Sequence, residues 1–499
     1  MTLATSALKI GVAELLLPAV RWDPHRGFAG EREGIERGLA RGVGGFIFFG
    51  GPQDEVRALI KDLRFRSRRP LMFAADLERG AGQQFAGATG LPPLAAIASL
   101  NDEEAIRRAA KLTAREARTL GINWNYAPVV DLDVVPQNPI VGTRAFGGDP
   151  ARVGKLATAW IEACQREGVL ACAKHFPGHG RTTGDSHATL PVVDATRAEL
   201  MDGDLVPFRA AIASGVASIM TAHVAYPALD PSGVPATLSR DILRLLLREK
   251  LGFKDGLIVT DALIMAGVLG EGAEGAEGEA AVRALDAGCD LILYPRDFEG
   301  VAAAIDAALR NGRLDEDRVY WSLRRRLKWA QWASPPTDYR RATAADVAWA
   351  AQLAERVISV VRGTAPTLSG PVELMIVDDD VGGPHPAPSR DPLVETLRAH
   401  GCDLGVVADF TRGVRGQPLV AVFGDIRAWK GRPGYSEATR AAVRGACEAT
   451  GAVGRQAVVV QFSHPRLAAE LPFAETVVCA WGGERAMQEA AARWLAKRR

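Results

Sequence analysis

The sequence predicts a mixed α/β protein in two parts, a (β/α)8 barrel of the TIM type followed by a smaller, doubly wound α/β sandwich domain. Up to about residue 312, eight short apolar runs alternate with longer amphipathic segments. Such runs, rich in β-branched and aromatic residues, are typical of parallel strands buried on both faces. Chemically unusual residues directly follow several of the runs, as expected where barrel strands end in loops. A second alternating series begins near residue 370.

Eight apolar runs predict the strands of the barrel. Their bounds are Ile10–Leu17, Gly45–Phe49, Leu71–Ala75, Ile122–Tyr126, Leu170–Lys174, Ser218–Thr221, Leu257–Thr260 and Leu291–Tyr294. Between the runs, apolar residues recur three and four positions apart, as in Thr196–Ala211 and Asp241–Lys250, which predicts helices. Residues 1–335 are therefore predicted to form a catalytic barrel.

The remainder of the chain predicts a linker and an open sheet. Pro335 and Pro336 break the helical pattern, and residues 336–365 are predicted to be the linker. Residues 366–499 are predicted to form the second domain. Its predicted strands are Val372–Val377, Leu404–Val407, Leu419–Phe423, Val458–Phe462 and Val477–Ala480, closed by a basic helix over Glu484–Arg499. Because this part has no comparable cluster of catalytic residue types, we expect it to build structure or a rim.

Composition argues against several classes of partner. Lys plus Arg number 60 against 59 Asp plus Glu, so neither a nucleic acid nor an anionic membrane is expected as a partner. The basic run Arg324–Arg326 is interpreted as the solvated face of a helix. The six cysteines form no Cys-x-x-Cys pair, which favours free thiols in a reducing compartment. With no secretory signal and no long apolar stretch in the sequence, the expected location is the cytoplasm.

The densest functional signal is a loop that contains three of the eight histidines. Pro177, Gly178 and neighbouring glycines forbid regular structure there, so the segment is predicted to be a βα loop. Asp185 lies two residues before His187, and in an extended stretch both side chains face the same way. A carboxylate that holds one ring nitrogen fixes the tautomer and raises the basicity of the other. His187 can then give a proton to a leaving alkoxide and take one from water.

A single carboxylate, Asp261, ends the apolar run Leu257–Thr260 and is predicted to point into the mouth of the barrel. There it can attack a sugar anomeric carbon and form a covalent intermediate, which leads to retained configuration. Other polar residues suit the binding of a polyol. These are Asp76 as an acceptor, and Arg144, Lys174 and His175 as donors.

A metal site is the main alternative for the histidine loop. His175 and His179 are four residues apart, as in a zinc-binding helix, but Pro177 and Gly178 prevent a shared helical face. No metal is therefore predicted. Gly80 and Gly82 lack the third glycine of a dinucleotide fingerprint, because Phe85 stands in that region, and no cofactor is predicted.

Several motifs resemble one enzyme family. Lys174–Gly180 reads Lys-His-Phe-Pro-Gly-His-Gly, Asp185–His187 reads Asp-Ser-His, and Thr260–Met265 reads Thr-Asp-Ala-Leu-Ile-Met. In this order they resemble the family 3 glycoside hydrolases, in the β-N-acetylglucosaminidase branch and its two-domain bacterial type. Three further segments are also similar, namely Asn138–Gly147, Met220–Val224 and Pro235–Ser239. The resemblance covers about residues 9 to 330.

The resemblance implies a function and a role for each matching residue. It implies a retaining exo-glycosidase that removes terminal β-linked N-acetylglucosamine from a small glycoside or a cell-wall-derived oligosaccharide. Asp261 would be the nucleophile and His187, paired with Asp185, the acid/base. Sugar-hydroxyl contacts are implied for Asp76, Arg144, Lys174 and His175, and a pocket-lining position for His223. Family 3 β-glucosidases lack the Asp-Ser-His element, which favours the N-acetylglucosamine branch.

One departure from the family pattern leaves alternatives open. After Asp76 the family usually continues Gln-Glu-Gly-Gly-Arg and has a second Arg some eight positions on, where this chain has Gln84. Arg79 is an alternative donor from the same loop. A β-N-acetylglucosaminide phosphorylase or a β-glucosidase of the same family therefore stays open. Outside this class, the alternatives are a catalytically silent carbohydrate-binding protein and a metallohydrolase.

Overall fold

The computed structural model describes residues 11–184, 186, 189–270, 276–333, 341–380, 387–426 and 430–498. They form two compact units. The described residues of the first unit fall within Met1–Thr89, Ile106–Val135 and Gly147–Ala342, and those of the second within Gly90–Ala105, Pro136–Phe146 and Thr343–Arg499. Two short segments from the first third of the chain thus belong to the second unit. The predicted domain limits at 335 and 366 stay predictions.

The first unit is built on a curled, all-parallel sheet. Its strands are β1 (Leu16–Leu17), β2 (Ala19–Arg21), β3 (Gly45–Phe49), β4 (Met72–Ala75), β5 (Trp124–Asn125), β6 (Leu170–Phe176), β7 (Ser218–Thr221), β8 (Leu257–Val259) and β9 (Ile292–Leu293). Strands β2 to β8 lie side by side in chain order, and β1 pairs with β9. Val259 of β8 also bridges Leu291, just before β9. The predicted mixed α/β fold with a parallel sheet is confirmed.

The helices of the first unit alternate with these strands. They are Arg32–Arg41, Gln53–Arg66, Glu103–Leu120, Pro150–Arg166, Arg197–Glu199, Leu205–Ala213, Ala266–Leu269, Glu277–Ala287, Phe298–Arg310 and Glu316–Trp332. Two predicted α-helices differ in detail. Asp241–Lys250 is a π-helix, and a π-helical turn over Leu200–Asp204 interrupts the segment 196–211. Pro207 has no N–H for the carbonyl of Gly203, which favours the wider turn before it.

Two predictions are wrong at the buried residues Glu14 and Arg326. The predicted first strand is a 3-10 turn over Val12–Leu15, followed by β1. Glu14 in this turn is buried and pairs with Arg326 and Arg69. The interpretation of Arg324–Arg326 as a solvated face is therefore wrong for Arg326, which is 1% exposed and also donates to the carbonyl of Pro70 (2.9 Å). Periodicity along one helix does not reveal a partner that lies hundreds of residues away.

The second unit contains a six-stranded sheet with apolar residues on both faces. Its strands are β10 (Ser359–Arg362), β11 (Val372–Asp378), β12 (Leu404–Val407), β13 (Gln417–Phe423), β14 (Val458–Phe462) and β15 (Thr476–Cys479), in the order β10-β15-β14-β13-β11-β12. All pairs are parallel except β10 with β15. Along β13, Leu419 and Ala421 pack in one apolar cluster, and Val420 and Val422 in another.

The described helices of the second unit are Leu94–Ser99, Ala344–Arg356, Asp391–Ala399, Glu437–Gly451 and Arg485–Ala496. The five predicted strands correspond to β11–β15. Strand β10 and the helix Ala344–Arg356 were not predicted and lie in the range predicted as linker. Over the part of the chain that the structure describes, we find no helix with the length and apolarity that a membrane crossing requires.

Candidate active site

Four of the predicted site positions lie where strands of the first unit end. Asp76 directly follows β4, Lys174 and His175 are the two residues before the last residue of β6, and Asp261 is the second residue after β8. Because the strands are parallel, their carboxyl ends meet at one edge of the sheet. The structure brings these side chains together there.

Asp131 holds the His175 side chain and was missed by the sequence analysis. Its buried carboxylate accepts hydrogen bonds from the backbone N–H of His175 (3.0 Å) and of His179 (2.7 Å) and lies 2.7 Å from Nδ1 of His175. Burial alone would raise the pKa of Asp131, but the charges and hydrogen bonds of the two histidines outweigh burial and lower the pKa. A carboxylate at this distance places a proton on Nδ1, and Nε2 is then the ring nitrogen on the side of Asp261.

Asp261 faces that second nitrogen. Its Oδ2 lies 4.0 Å from Nε2 of His175, and its Oδ1 accepts from the backbone N–H of Ala262 (2.7 Å). The Asp261 side chain is 21% exposed, whereas that of Asp131 is fully buried. Of these two carboxylates, Asp261 is therefore the one that a substrate can reach.

Lys174 joins two carboxylates from the loop after β4. Its Nζ lies 2.6 Å from Oδ1 of Asp76 and 2.8 Å from Oε1 of Glu78. Lys174 and Glu78 are buried, and Asp76 is partly exposed. The Asn125 side chain fixes the start of this loop, because it accepts from the N–H of Leu77 (3.0 Å) and donates to its carbonyl (3.3 Å). The carboxylate of Asp76 can accept further hydrogen bonds, and the residue after it is held in place by Asn125. Such a carboxylate suits the recognition of a hydroxyl group.

His223 is buried against the peptide that follows Asp261. Its Nε2 lies 3.2 Å from the carbonyl oxygen of Ala262, which requires an N–H at that nitrogen, and its Nδ1 lies 2.7 Å from Oγ1 of Thr237. His223 therefore supports the segment that contains Asp261. Its predicted pocket-lining role stays a prediction.

The remaining predicted site residues are Arg144, Asp185 and His187. Asp185 and His187 lie outside the described residues, although Ser186 between them is described. Arg144 ends a short 3-10 turn, Gly142–Arg144, in a segment of the second unit. In that segment the Asn138 side chain accepts from the N–H groups of Ile140 (2.9 Å) and Val141 (2.7 Å) and shapes the turn.

Gln84, which departs from the family pattern, forms a hydrogen bond with the backbone through its side chain. Its Oε1 accepts from the N–H of Gly50 (3.2 Å), directly after β3. Arg79, the alternative donor, is 8% exposed. Its backbone N–H donates to Oε1 of Gln83 (2.8 Å). Within the described residues, no group of three or more His, Cys, Asp or Glu side chains has an arrangement that could hold a metal ion.

Tyr126 has a buried hydroxyl that finds no hydrogen-bond partner in the described part of the chain. It follows β5, is fully buried and packs edge-on against Trp124, with ring centroids 4.8 Å apart. Burial raises its pKa well above the ordinary value, and the charges of Cys172, Asp76 and Asp261 add to this shift. We expect Tyr126→Phe to increase the free energy of unfolding by about 1 kcal/mol, because it removes a buried group that lost its water partners.

Tyr226 offers a matched control for that substitution. It is equally buried, but its hydroxyl donates to the carbonyl of Gly178 (2.9 Å). Tyr226→Phe should therefore lower the free energy of unfolding by about 1 kcal/mol. Chemical denaturation of both variants measures the difference, and equal losses in both would contradict the assignment of an unsatisfied hydroxyl at Tyr126.

Comparison with known proteins gives consistent matches. Residues 11–328 match the family model "Glycosyl hydrolase family 3 N terminal domain". A beta-hexosaminidase of Pseudomonas aeruginosa is 38% identical over 306 residues, which are 60% of this chain and 87% of that protein. A beta-N-acetylglucosaminidase/beta-glucosidase of Cellulomonas fimi is 35% identical over 294 residues, 57% of this chain and 51% of the relative, so the match spans about half of that protein.

Solved structures extend the similarity over the whole chain. The family 3 beta-N-acetylglucosaminidase from Paenibacillus sp. FPU-7 superposes with a TM-score of 0.83 at 28% identity and covers 98% of this chain and 96% of that chain. The likeness therefore includes both units and not only the residues of the family match.

Proposed function

The chain belongs to glycosyl hydrolase family 3 and is a glycoside hydrolase, and we propose that it removes terminal β-linked N-acetylglucosamine with retention of configuration. Its substrate would be a small glycoside or a cell-wall-derived oligosaccharide. We further propose that the strands of the first unit form an eight-stranded barrel, in which β1 and β2 count as two parts of one strand and the bridge between Val259 and Leu291 joins β8 to the segment before β9. The second unit would be a separate domain.

One observation carries the mechanistic proposal. Asp261 is a partly exposed carboxylate at the end of a parallel strand, 4.0 Å from a histidine ring that a buried carboxylate orients. Beside it, Lys174 and Asp76 form an ion pair with capacity for sugar hydroxyls. A reachable carboxylate in such surroundings suits attack on an anomeric carbon.

The proposed reaction has two steps. In the first, an Oδ atom of Asp261 forms a bond to the anomeric carbon while the bond to the aglycone oxygen breaks. His187 gives its proton to that oxygen, with Asp185 stabilising the charged ring. In the second, water attacks the same carbon, gives a proton to His187 and releases Asp261. Two inversions at one carbon leave the configuration unchanged.

The choice of sugar rests on the relatives and on one motif. The relatives with the matches reported above are described as hexosaminidases or N-acetylglucosaminidases, one of them also as a β-glucosidase. The Asp185–His187 element supports the N-acetylglucosamine branch. The side chain of Gln84 accepts a hydrogen bond from the backbone of Gly50, and Arg79 is buried. These two observations do not favour a different sugar.

A comparison of substrates tests the proposal. We expect faster release from an aryl N-acetyl-β-glucosaminide than from an aryl β-glucoside, with the β anomer as the first product by NMR and no effect of phosphate. A 2-deoxy-2-fluoro glycoside should label Asp261, located by mass spectrometry of a digest. Faster turnover with phosphate and a sugar 1-phosphate product would make the enzyme a phosphorylase. Preference for the glucoside would make it a β-glucosidase, and a label elsewhere would reject the nucleophile.

A further inference from the structure

We propose that Glu78 is a positioning residue for the recognition of the sugar: its buried carboxylate holds the ammonium group of Lys174 and thereby keeps Asp76 a strong acceptor for one sugar hydroxyl. The sequence analysis assigned no role to Glu78. This inference rests on the proposed function, because it needs Asp76 to bind a hydroxyl of the substrate.

The ammonium group of Lys174 contacts two carboxylates of one loop. Its Nζ lies 2.6 Å from Oδ1 of Asp76 and 2.8 Å from Oε1 of Glu78. The two carboxylates differ in exposure, because the side chain of Asp76 is 27% exposed and that of Glu78 only 5%. Asp76 is therefore the one that a sugar hydroxyl can reach, and Glu78 acts on the sugar through Lys174.

The backbone on both sides of Glu78 is held by side chains. On one side, the N–H of Leu77 donates to Oδ1 of Asn125 (3.0 Å). On the other side, the N–H of Arg79 donates to Oε1 of Gln83 (2.8 Å). The backbone that carries the Glu78 carboxylate is therefore fixed, and so is the point from which this carboxylate reaches the ammonium group.

Lys174 depends on such partners because its charge lies at the end of a flexible side chain. Its backbone is fixed in β6, where its carbonyl accepts from the N–H of Val130 (2.8 Å). The four-carbon side chain can still rotate about its bonds, so the contacts of Nζ decide where the charge lies. The Lys174 side chain is 2% exposed, and a buried charge is stable only with charged or hydrogen-bonding partners. Glu78 and Asp76 together therefore set the position of Nζ.

The charges explain why a second carboxylate strengthens the first as an acceptor. One ammonium group neutralises only one of two carboxylates, so Asp76 keeps negative charge when Glu78 shares Lys174. Without the charge of Glu78, the ammonium group would interact with Asp76 alone, and its N–H groups would compete with a sugar hydroxyl for the same oxygens. A hydrogen bond to a charged acceptor is about twice as strong as one between neutral groups. Glu78 therefore strengthens the hydrogen bond from the sugar to Asp76.

A series of deoxy substrates gives a readout that a merely structural role would not change. We would measure kcat/KM with the full chain for an aryl N-acetyl-β-glucosaminide and for its 3-deoxy, 4-deoxy and 6-deoxy analogues. The variants are Glu78→Gln and Asp76→Asn, which keep the size of each side chain and remove its charge. Ratios of kcat/KM between substrates do not depend on the amount of folded enzyme, so a less stable variant can still be compared.

We expect Asp76→Asn to identify the hydroxyl that Asp76 binds, because the analogue without that hydroxyl should lose little further activity. Glu78→Gln should show the same pattern, with a loss in kcat/KM of about tenfold on the parent substrate and less than about threefold on that analogue. Glu249→Gln is the matched control, since Glu249 is an exposed glutamate of the same unit. It should match the wild type on all four substrates.

The outcomes separate this inference from the proposed function. If the wild type prefers an aryl β-glucoside, the proposed choice of sugar fails, and the same deoxy series built on the glucoside still tests Glu78. If Asp76→Asn loses activity equally on all substrates, Asp76 binds no hydroxyl, and the role of Glu78 fails with it.

A third result would overturn the positioning role alone. In that case Asp76→Asn selects one hydroxyl, but Glu78→Gln shows no loss, an equal loss on all substrates, or a loss tied to a different hydroxyl. Should Glu78→Gln fail to fold, Glu78→Asp decides, because it keeps the charge and moves it away from Nζ by one methylene. It should then show the same pattern with a smaller loss.

Discussion

Asp261→Asn is expected to lower kcat by at least about 10⁴-fold, because an amide oxygen is too weak a nucleophile to displace an aglycone. The substitution keeps the shape of the side chain and an acceptor for the N–H of Ala262, at 2.7 Å in the structure. The loss should therefore occur without a change in fold, which circular dichroism and the denaturation midpoint can check. Steady-state kinetics with an aryl N-acetyl-β-glucosaminide measures the effect.

Asp76→Asn is the matched control, since it is the same change on a neighbouring, partly exposed carboxylate. We expect it to raise KM and to lower kcat far less than Asp261→Asn. External azide adds a positive test, because in Asp261→Ala it can enter from the face that the carboxylate occupied. The expected product is an α-glycosyl azide. Full turnover by Asp261→Asn, or a β-glycosyl azide from Asp261→Ala, would reject Asp261 as the nucleophile.

The sequence was informative wherever function depends on position along a strand. Asp76 and Asp261 were predicted as site residues because each follows a buried apolar run, and in a parallel sheet such positions converge. The same reasoning placed Lys174 and His175 beside them. A residue's position at the end of an apolar run therefore predicts its location at one edge of the parallel sheet.

Residues that act by supporting another side chain were not predictable in this way. Asp131 acts on a histidine 44 residues later in the chain, and Glu78 on a lysine in β6. One signal was present: Asp131 lies between Val130 and Leu132, and a carboxylate in such an apolar setting requires a buried partner. The sequence gives no way to choose among the many candidate partners. Arg326 and Glu14, 312 residues apart, show the same limit.

Asp131→Asn is expected to lower kcat/KM by about 10³-fold, because the buried carboxylate orients His175 beside Asp261, the proposed nucleophile. In the structure it accepts from two backbone N–H groups and the His175 ring, so three N–H groups converge on it. Asparagine offers one oxygen in place of two and turns an NH₂ group toward at least one of these donors. We therefore also expect a loss of about 3 kcal/mol in the free energy of unfolding.

The pH dependence of that loss tests its cause. The pKa of Asp131 is lowered in the folded protein, so the charged carboxylate stabilises the fold above the unfolded value of 3.8, and this contribution disappears as the pH falls through the folded pKa. The difference in unfolding free energy between the wild type and Asp131→Asn should be largest near neutral pH and should shrink in acid. Asp194→Asn is the same change at an exposed carboxylate of the same unit. Its free energy of unfolding should stay close to that of the wild type. A constant gap at every pH would mean that packing, and not the charge of Asp131, holds His175 and the loop that contains His179.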